Sequence, residues 1–182
     1  MLSKRPLRDA GVRAFGVAWP PAIIATLEVD GGPLTFVLAH PPPPVRAEMA
    51  EVQERFFAAR AAARPSLGED LVVMGDLNAT PWSYGLRRLL ARAQLRDSRR
   101  GFGLAASWPT ATPVLRIPID QLLVSGRVVV LARQIGPAVG SDHFPVRARI
   151  ALAKAQPAAS SAARSTLASN TRRAGPRIVT PE

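Results

Sequence analysis

With 182 residues, 47% of them apolar, the chain is long enough for one domain with a sizeable core. It contains no cysteine, which excludes a disulfide scaffold and any Cys-ligated zinc or iron–sulfur centre. Its net charge of +11 suits phosphate-bearing partners, and an Arg-rich solvated surface is the bland reading of the same figure.

The opening Met1-Leu2-Ser3-Lys4-Arg5-Pro6 is basic with no apolar stretch behind it, so no signal peptide is expected. No apolar run reaches the roughly 18 to 20 residues of a membrane span. As it stands, the chain reads as cytoplasmic. Residues 23 to 29 and 34 to 39 read as two strands. Asp30-Gly31-Gly32-Pro33 between them is turn chemistry, which predicts an antiparallel hairpin. His40 stands at the end of the second strand, before four prolines that force the chain out of the sheet. Val45, Met49, Val52 and Phe56 mark one face of a helix over 45–63. Leu71 to Met74 is a short buried strand. Pro81-Trp82-Ser83 leads into a second helix over Tyr84–Arg92, with Ser83 as N-cap. Residues 117–124, 128–135 and 145–152 read as three more strands.

After Leu152 the composition turns to Ala, Ser, Pro and Arg. Residues 154–182 are expected to form a flexible basic tail, leaving a domain over 1–153. Lys154, Arg164, Arg172, Arg173 and Arg177 against Glu182 make the tail +4, which leaves +7 for the domain. Antiparallel strands with two helices between them favour an α+β or sandwich arrangement over a regular βαβ series.

Polar residues recur at the strand ends: His40, the run Gly75-Asp76-Leu77-Asn78, Asp120 within an apolar strand, and Ser141-Asp142-His143. Taken singly, each has an ordinary reading as a surface or turn residue. Asp120 is the exception, since an acid in an apolar strand needs a partner, either an Arg or a His. Together the set suits phosphoester hydrolysis. Oxygen ligands can hold Mg²⁺ or Mn²⁺ and a carboxylate can take a proton from water. A His or Asn can donate to phosphate oxygens.

The run Gly75-Asp76-Leu77-Asn78-Ala79-Thr80-Pro81, then Ile119-Asp120, then Ser141-Asp142-His143-Phe144-Pro145-Val146 resembles the endonuclease/exonuclease/phosphatase superfamily. Ser107-Trp108-Pro109-Thr110 resembles a segment that precedes its Ile-Asp strand. The resemblance covers residues 1–152 and implies a four-layer αββα sandwich. It makes Asp76 the residue that activates water and lets Asn78 hold the scissile phosphate. It places Asp142 near a Mg²⁺ or Mn²⁺ ion, His143 on the phosphate, Asp120 on His143 and His40 on a phosphate oxygen. Gln121 stands where relatives often carry His. The family's opening strands, one ending in Asn and one in a metal-binding Glu, have no counterpart here. The chain is therefore expected to be the C-terminal portion of a larger domain and to hydrolyse phosphoesters poorly or not at all by itself.

The substrate class implied is a phosphoester, with nucleic acid and phospholipid head groups both open. The complete protein is expected to be monomeric and without an obligate protein partner. Membrane attachment through a preceding segment is open. Two further readings stand beside the enzyme: a non-catalytic remnant that binds phosphate-rich partners through its basic surface, and a structural fragment.

Overall fold

The computed structural model describes residues 1–15 and 20–154. In chain order the elements are β1 (Arg8–Arg13), β2 (Ala22–Val29), β3 (Gly32–Leu38), α1 (Ala47–Ala62), β4 (Leu71–Asp76), α2 (Tyr84–Arg92), β5 (Arg96–Asp97), β6 (Asp120–Val124), β7 (Val128–Ile135) and β8 (Val146–Leu152). The expected tail lies outside the described residues, except for Lys154. Among the described residues, no helix is long and apolar enough to cross a membrane.

Six strands form one mixed sheet in the order β1-β2-β3-β4-β6-β5, and β7 and β8 form a separate antiparallel pair. The predicted hairpin is present: Val29 pairs with Gly32, and Gly31 takes a φ of 105° in the turn. β3 and β4 run parallel, with α1 as the crossover between them. Phe56 and Phe57 of α1 and Leu86 and Leu89 of α2 pack on one face of the large sheet, against Ile24, Val37, Val73 and Leu123. Alternate residues of the same strands (Leu34, Val72, Leu122 and Val124) face the other way and meet Val128, Val130, Ile150 and Leu152 of β7–β8.

Three readings differ from the structure. The buried stripe of α1 is Gln53, Phe56, Phe57 and Arg60, whereas Val45 is 76% exposed. Polar residues occupy half of that stripe because each bonds backbone carbonyls. Arg60 reaches Ala14 O and Pro20 O and stacks on Phe56 and Phe15, and burial lowers its pKa to about 10. The sixth strand starts at Asp120 rather than at residue 117, because Pro118 has no N–H to give a ladder. Ile117 instead bridges to Trp108. β1 went unread because every residue in it is exposed, so it shows no apolar alternation. It is a bulged edge strand carrying Arg8, Asp9 and Arg13, a composition that discourages pairing with other chains.

Candidate active site

β4 and β6 are antiparallel neighbours, and their register sets Asp76 opposite Asp120. Cross-strand partners project to the same face, so two carboxylates meet at the end of the inner face, one pair beyond Gly75 and Gln121. His143 bridges them. Its Nδ1 lies 2.8 Å from Asp120 Oδ2, and its Nε2 lies 3.8 Å from Asp76 Oδ2. Ser107 donates its hydroxyl to the same Asp120 oxygen at 2.6 Å. His40 approaches Asp76 from the other side, with Nε2 3.5 Å from Oδ2, and its side chain is 73% exposed.

The approach of His40 depends on Gly75. β3 ends against β4 with Ala39 N donating to Met74 O at 3.0 Å. A Cβ on Gly75 would lie 2.1 Å from Ala39 O, and its φ of 140° is one that side chains rarely adopt. The glycine before Asp76 is therefore what lets the His40 strand end come alongside.

Strand geometry does not continue through Leu77. Asn78 turns left-handed with a φ of 48°, its N–H donating to Asp76 Oδ1 at 2.9 Å. Asn tolerates this conformation, and the Asp–Asn pair closes a local turn. Leu77 is fully buried in the helix-side core. Asn78 Nδ2 donates to Pro41 O at 2.9 Å, which leaves one amide N–H and Oδ1 for other partners. The side chain is thus fastened to the segment after His40.

Two glutamines hold this turn, and neither was singled out as a functional residue from the sequence. Gln53 of α1 donates to the carbonyls of Pro42, Leu77 and Asn78. Gln121 of β6 donates to Ala79 O at 2.6 Å and Pro118 O at 2.8 Å, while its Oε1 accepts from Arg99, itself paired with Asp97. Gln121, which stands where relatives often carry His, ties the Asn78 turn to β6. A buried polar residue inside an otherwise apolar helix or strand stripe was the available signal.

Asp142 is exposed, and its Oδ2 accepts from the Trp108 indole at 3.2 Å. The Asp142 loop is fastened to the Trp108 segment by Thr110 N to Asp142 O and Phe144 N to Ser107 O. Ser83 occupies the N-cap position of α2, but its Oγ is buried without a partner, so it caps by backbone alone.

Burial pushes the Asp76 carboxyl above its usual range and the Asp120 charge adds to that, against the Asn78 N–H, His143 and His40. Burial lowers His143, but the hydrogen bond to Asp120 and the charges of Asp120, Asp76 and Asp142 outweigh it, and the net shift is upward. Asp76 is thus a carboxylate with raised basicity, and His143 is an imidazole that favours its cationic form. Asp76 lines an inter-sheet cavity of ≈ 580 Å³, where His40, Asp76 and Asp120 meet apolar walls that include Ile23, Leu38, Met74 and Val146. A divalent cation is the cofactor the resemblance implies. Among the described residues, no three His, Asp or Glu side chains converge so as to hold a metal, and Asp142 is engaged by Trp108. The described donor set does not by itself fit the ion.

The model of the endonuclease/exonuclease/phosphatase family matches residues 1–143. β8 lies beyond that match, although it packs on the same core. Solved structures share the fold at low identity. An endonuclease/exonuclease/phosphatase from Beutenbergia cavernae aligns over 82% of this chain at 20% identity, with a TM-score of 0.66. The human Nocturnin catalytic domain with bound sulfate aligns over 84% at 16% identity, with a TM-score of 0.64. D. rerio TDP2 complexed with single-strand DNA product aligns over 80% at 12% identity, with a TM-score of 0.60. The chain spans 46%, 62% and 68% of those three proteins, respectively. None of the curated proteins compared with the chain matches it. With the family model matching 143 of 182 residues and the motif residues gathered at one end of the sheets, the chain belongs to the endonuclease/exonuclease/phosphatase family.

Proposed function

We propose that this chain carries a phosphoester hydrolase site in which Asp76 activates water. The observation behind this reading is the convergence of Asp76, Asp120, His143 and His40, from four separate parts of the chain, with His40, Asp76 and Asp120 lining one cavity. Asp76, with its raised pKa, accepts the proton of an attacking water at Oδ2, the oxygen that Asn78 N–H leaves free. Protonated His143 faces that oxygen and stabilises charge developing on phosphate oxygens. Asp120, steadied by Ser107, orients the imidazole through Nδ1 and keeps it cationic. His40 is open to solvent and donates to a phosphate oxygen. The remaining polar atoms of Asn78 hold the phosphate from the side. Asp142 is engaged by the Trp108 indole and the described residues gather no three-ligand group, so no step here runs through a divalent cation, and turnover by these residues alone is slow.

The neighbours' names span Nocturnin, a mannosyl-6-phosphatase and TDP2 with a DNA product, so phosphomonoesters and phosphodiesters both belong in the test. Hydrolysis of such a set by the wild type and by Asp76→Asn decides the reading. The absence of a three-ligand donor group among the described residues also favours a second reading, a non-catalytic phosphate binder. Binding without any Asp76-dependent hydrolysis would select it.

A further inference from the structure

Directly after the Asn78 turn the chain presents two aromatic rings to solvent. Trp82 is 56% exposed and Tyr84 is 64% exposed, although rings of this size are ordinarily covered. Neither hangs on a loose segment. Gln53 and Gln121 fix the carbonyls of residues 77 to 79, Ser83 N closes a turn on Thr80 O at 3.0 Å, and Tyr84 opens α2. Gly85 in that first helical turn sits so close to Glu54 and Phe57 that α2 is clamped onto α1. Trp82 is four residues from Asn78, so its Cα lies within about 15 Å of the Asn78 Cα by chain reach alone.

The surroundings of the rings are cationic. Arg88 lies over the Tyr84 ring at 5.2 Å and also reaches Glu54 at 3.8 Å. Arg87 and Arg92 of α2 are exposed and have no ion pair among the described residues. The outward positions of α2 are Tyr84, Arg87, Ala91 and Arg92, with no Leu, Ile or Phe among them. A helix that lies in a lipid interface needs such an apolar face. Separate rings followed by cations, with no apolar patch, instead fit a ligand with flat π-faces and a repeating negative charge. A single-stranded nucleic acid has both, and a base stacked on an aromatic side chain contributes about 1–3 kcal/mol whatever its identity.

We propose that Trp82 and Tyr84 form a stacking shelf for the bases of a single-stranded nucleic acid, with Arg87 on its backbone and a neighbouring phosphate offered to the Asp76–His143 site. The last clause rests on the phosphoester reading; the shelf itself does not. The test is fluorescence anisotropy of a labelled single-stranded oligonucleotide with the full chain in chelator, so that binding is read without hydrolysis. Trp82→Ala weakens binding about 5- to 150-fold, the equivalent of one lost stack. Trp82→Phe, which keeps a π-face and guards against loss of fold, retains most of the affinity. Arg87→Ala lowers the salt slope by about one. The proposal is overturned if the wild type does not bind the strand, if Trp82→Ala binds it as tightly, or if a duplex of the same sequence is bound as well and with the same dependence on Trp82. Trp82-dependent binding of anionic vesicles in place of the oligonucleotide also overturns it. Trp82-dependent binding combined with no Asp76-dependent hydrolysis of any phosphoester would leave the shelf standing and remove the hydrolase reading.

Discussion

Asp120 Oδ2 and His143 Nδ1 stand 2.8 Å apart, which joins the first residue of β6 to the loop that leads into β8. The contact links the two sheets at their open end. It also decides which nitrogen of His143 faces Asp76, because the opposite ring nitrogen is the one left pointing there.

Replacing Asp120 by Asn therefore lowers the His143 pKa, since the adjacent charge that raises it is lost and the remaining hydrogen bond is to a neutral amide. NMR titration of the His143 ring is the measurement. Hydrolysis falls by about 10²-fold or more, the usual scale for a misplaced acid–base group. An unchanged His143 titration means that the contact does not govern its protonation.

The pH profile follows from the two upward shifts. Activity needs Asp76 ionised and His143 protonated. The acid limb lies above 3.8, the ordinary Asp value, and the alkaline limb lies above 6.5, the ordinary His value. For stability, a raised His pKa contributes fully below the unfolded value of 6.5 and is lost as pH rises through the folded value. A kcat/KM profile whose acid limb lies at or below 3.8, or whose alkaline limb lies at or below 6.5, contradicts the assignment of the two groups.

Gly75→Ala drives a methyl group into the Ala39 carbonyl and imposes an unfavourable φ. The expected loss is about 3 kcal/mol or more in urea unfolding, from backbone strain and overpacking together. Gly126→Ala, where a new Cβ meets nothing within 4 Å, is the matched control and changes stability little. Equal effects of the two substitutions would mean that the His40 strand end does not depend on the missing side chain.

Much of this site was legible from residue patterns. The β2–β3 hairpin, α2 and β7 lie where turn residues and periodicity predict them, and the motif residues mark three strand ends. The connections between those ends were not legible. Gln53 and Gln121 act by reaching carbonyls far away in the chain, and neither local spacing nor propensity encodes such a partner. The conformation of Asn78 depends on a left-handed backbone angle that its N–H bond to Asp76 Oδ1 stabilises, and strand periodicity does not encode such an angle. The engagement of Asp142 by Trp108 was equally invisible, because the two lie 34 positions apart.

Because the described residues gather no three-ligand group, the full chain is expected to bind Mn²⁺ weakly. Electron paramagnetic resonance of free Mn²⁺, titrated with the protein, shows no stoichiometric site, and Asp142→Asn leaves the titration unchanged. A tight one-to-one site that Asp142→Asn removes would mean that the side chains rearrange into a donor set.

The most direct test of the phosphoester site is hydrolysis of bis-p-nitrophenyl phosphate by the full chain and by Asp76→Asn under identical conditions. Wild-type turnover is expected to be slow but above background, and to fall by at least about 10²-fold when Asp76 can no longer take a proton. Equal rates for the two proteins, or no turnover by either, would contradict the assignment of Asp76 as the residue that activates water.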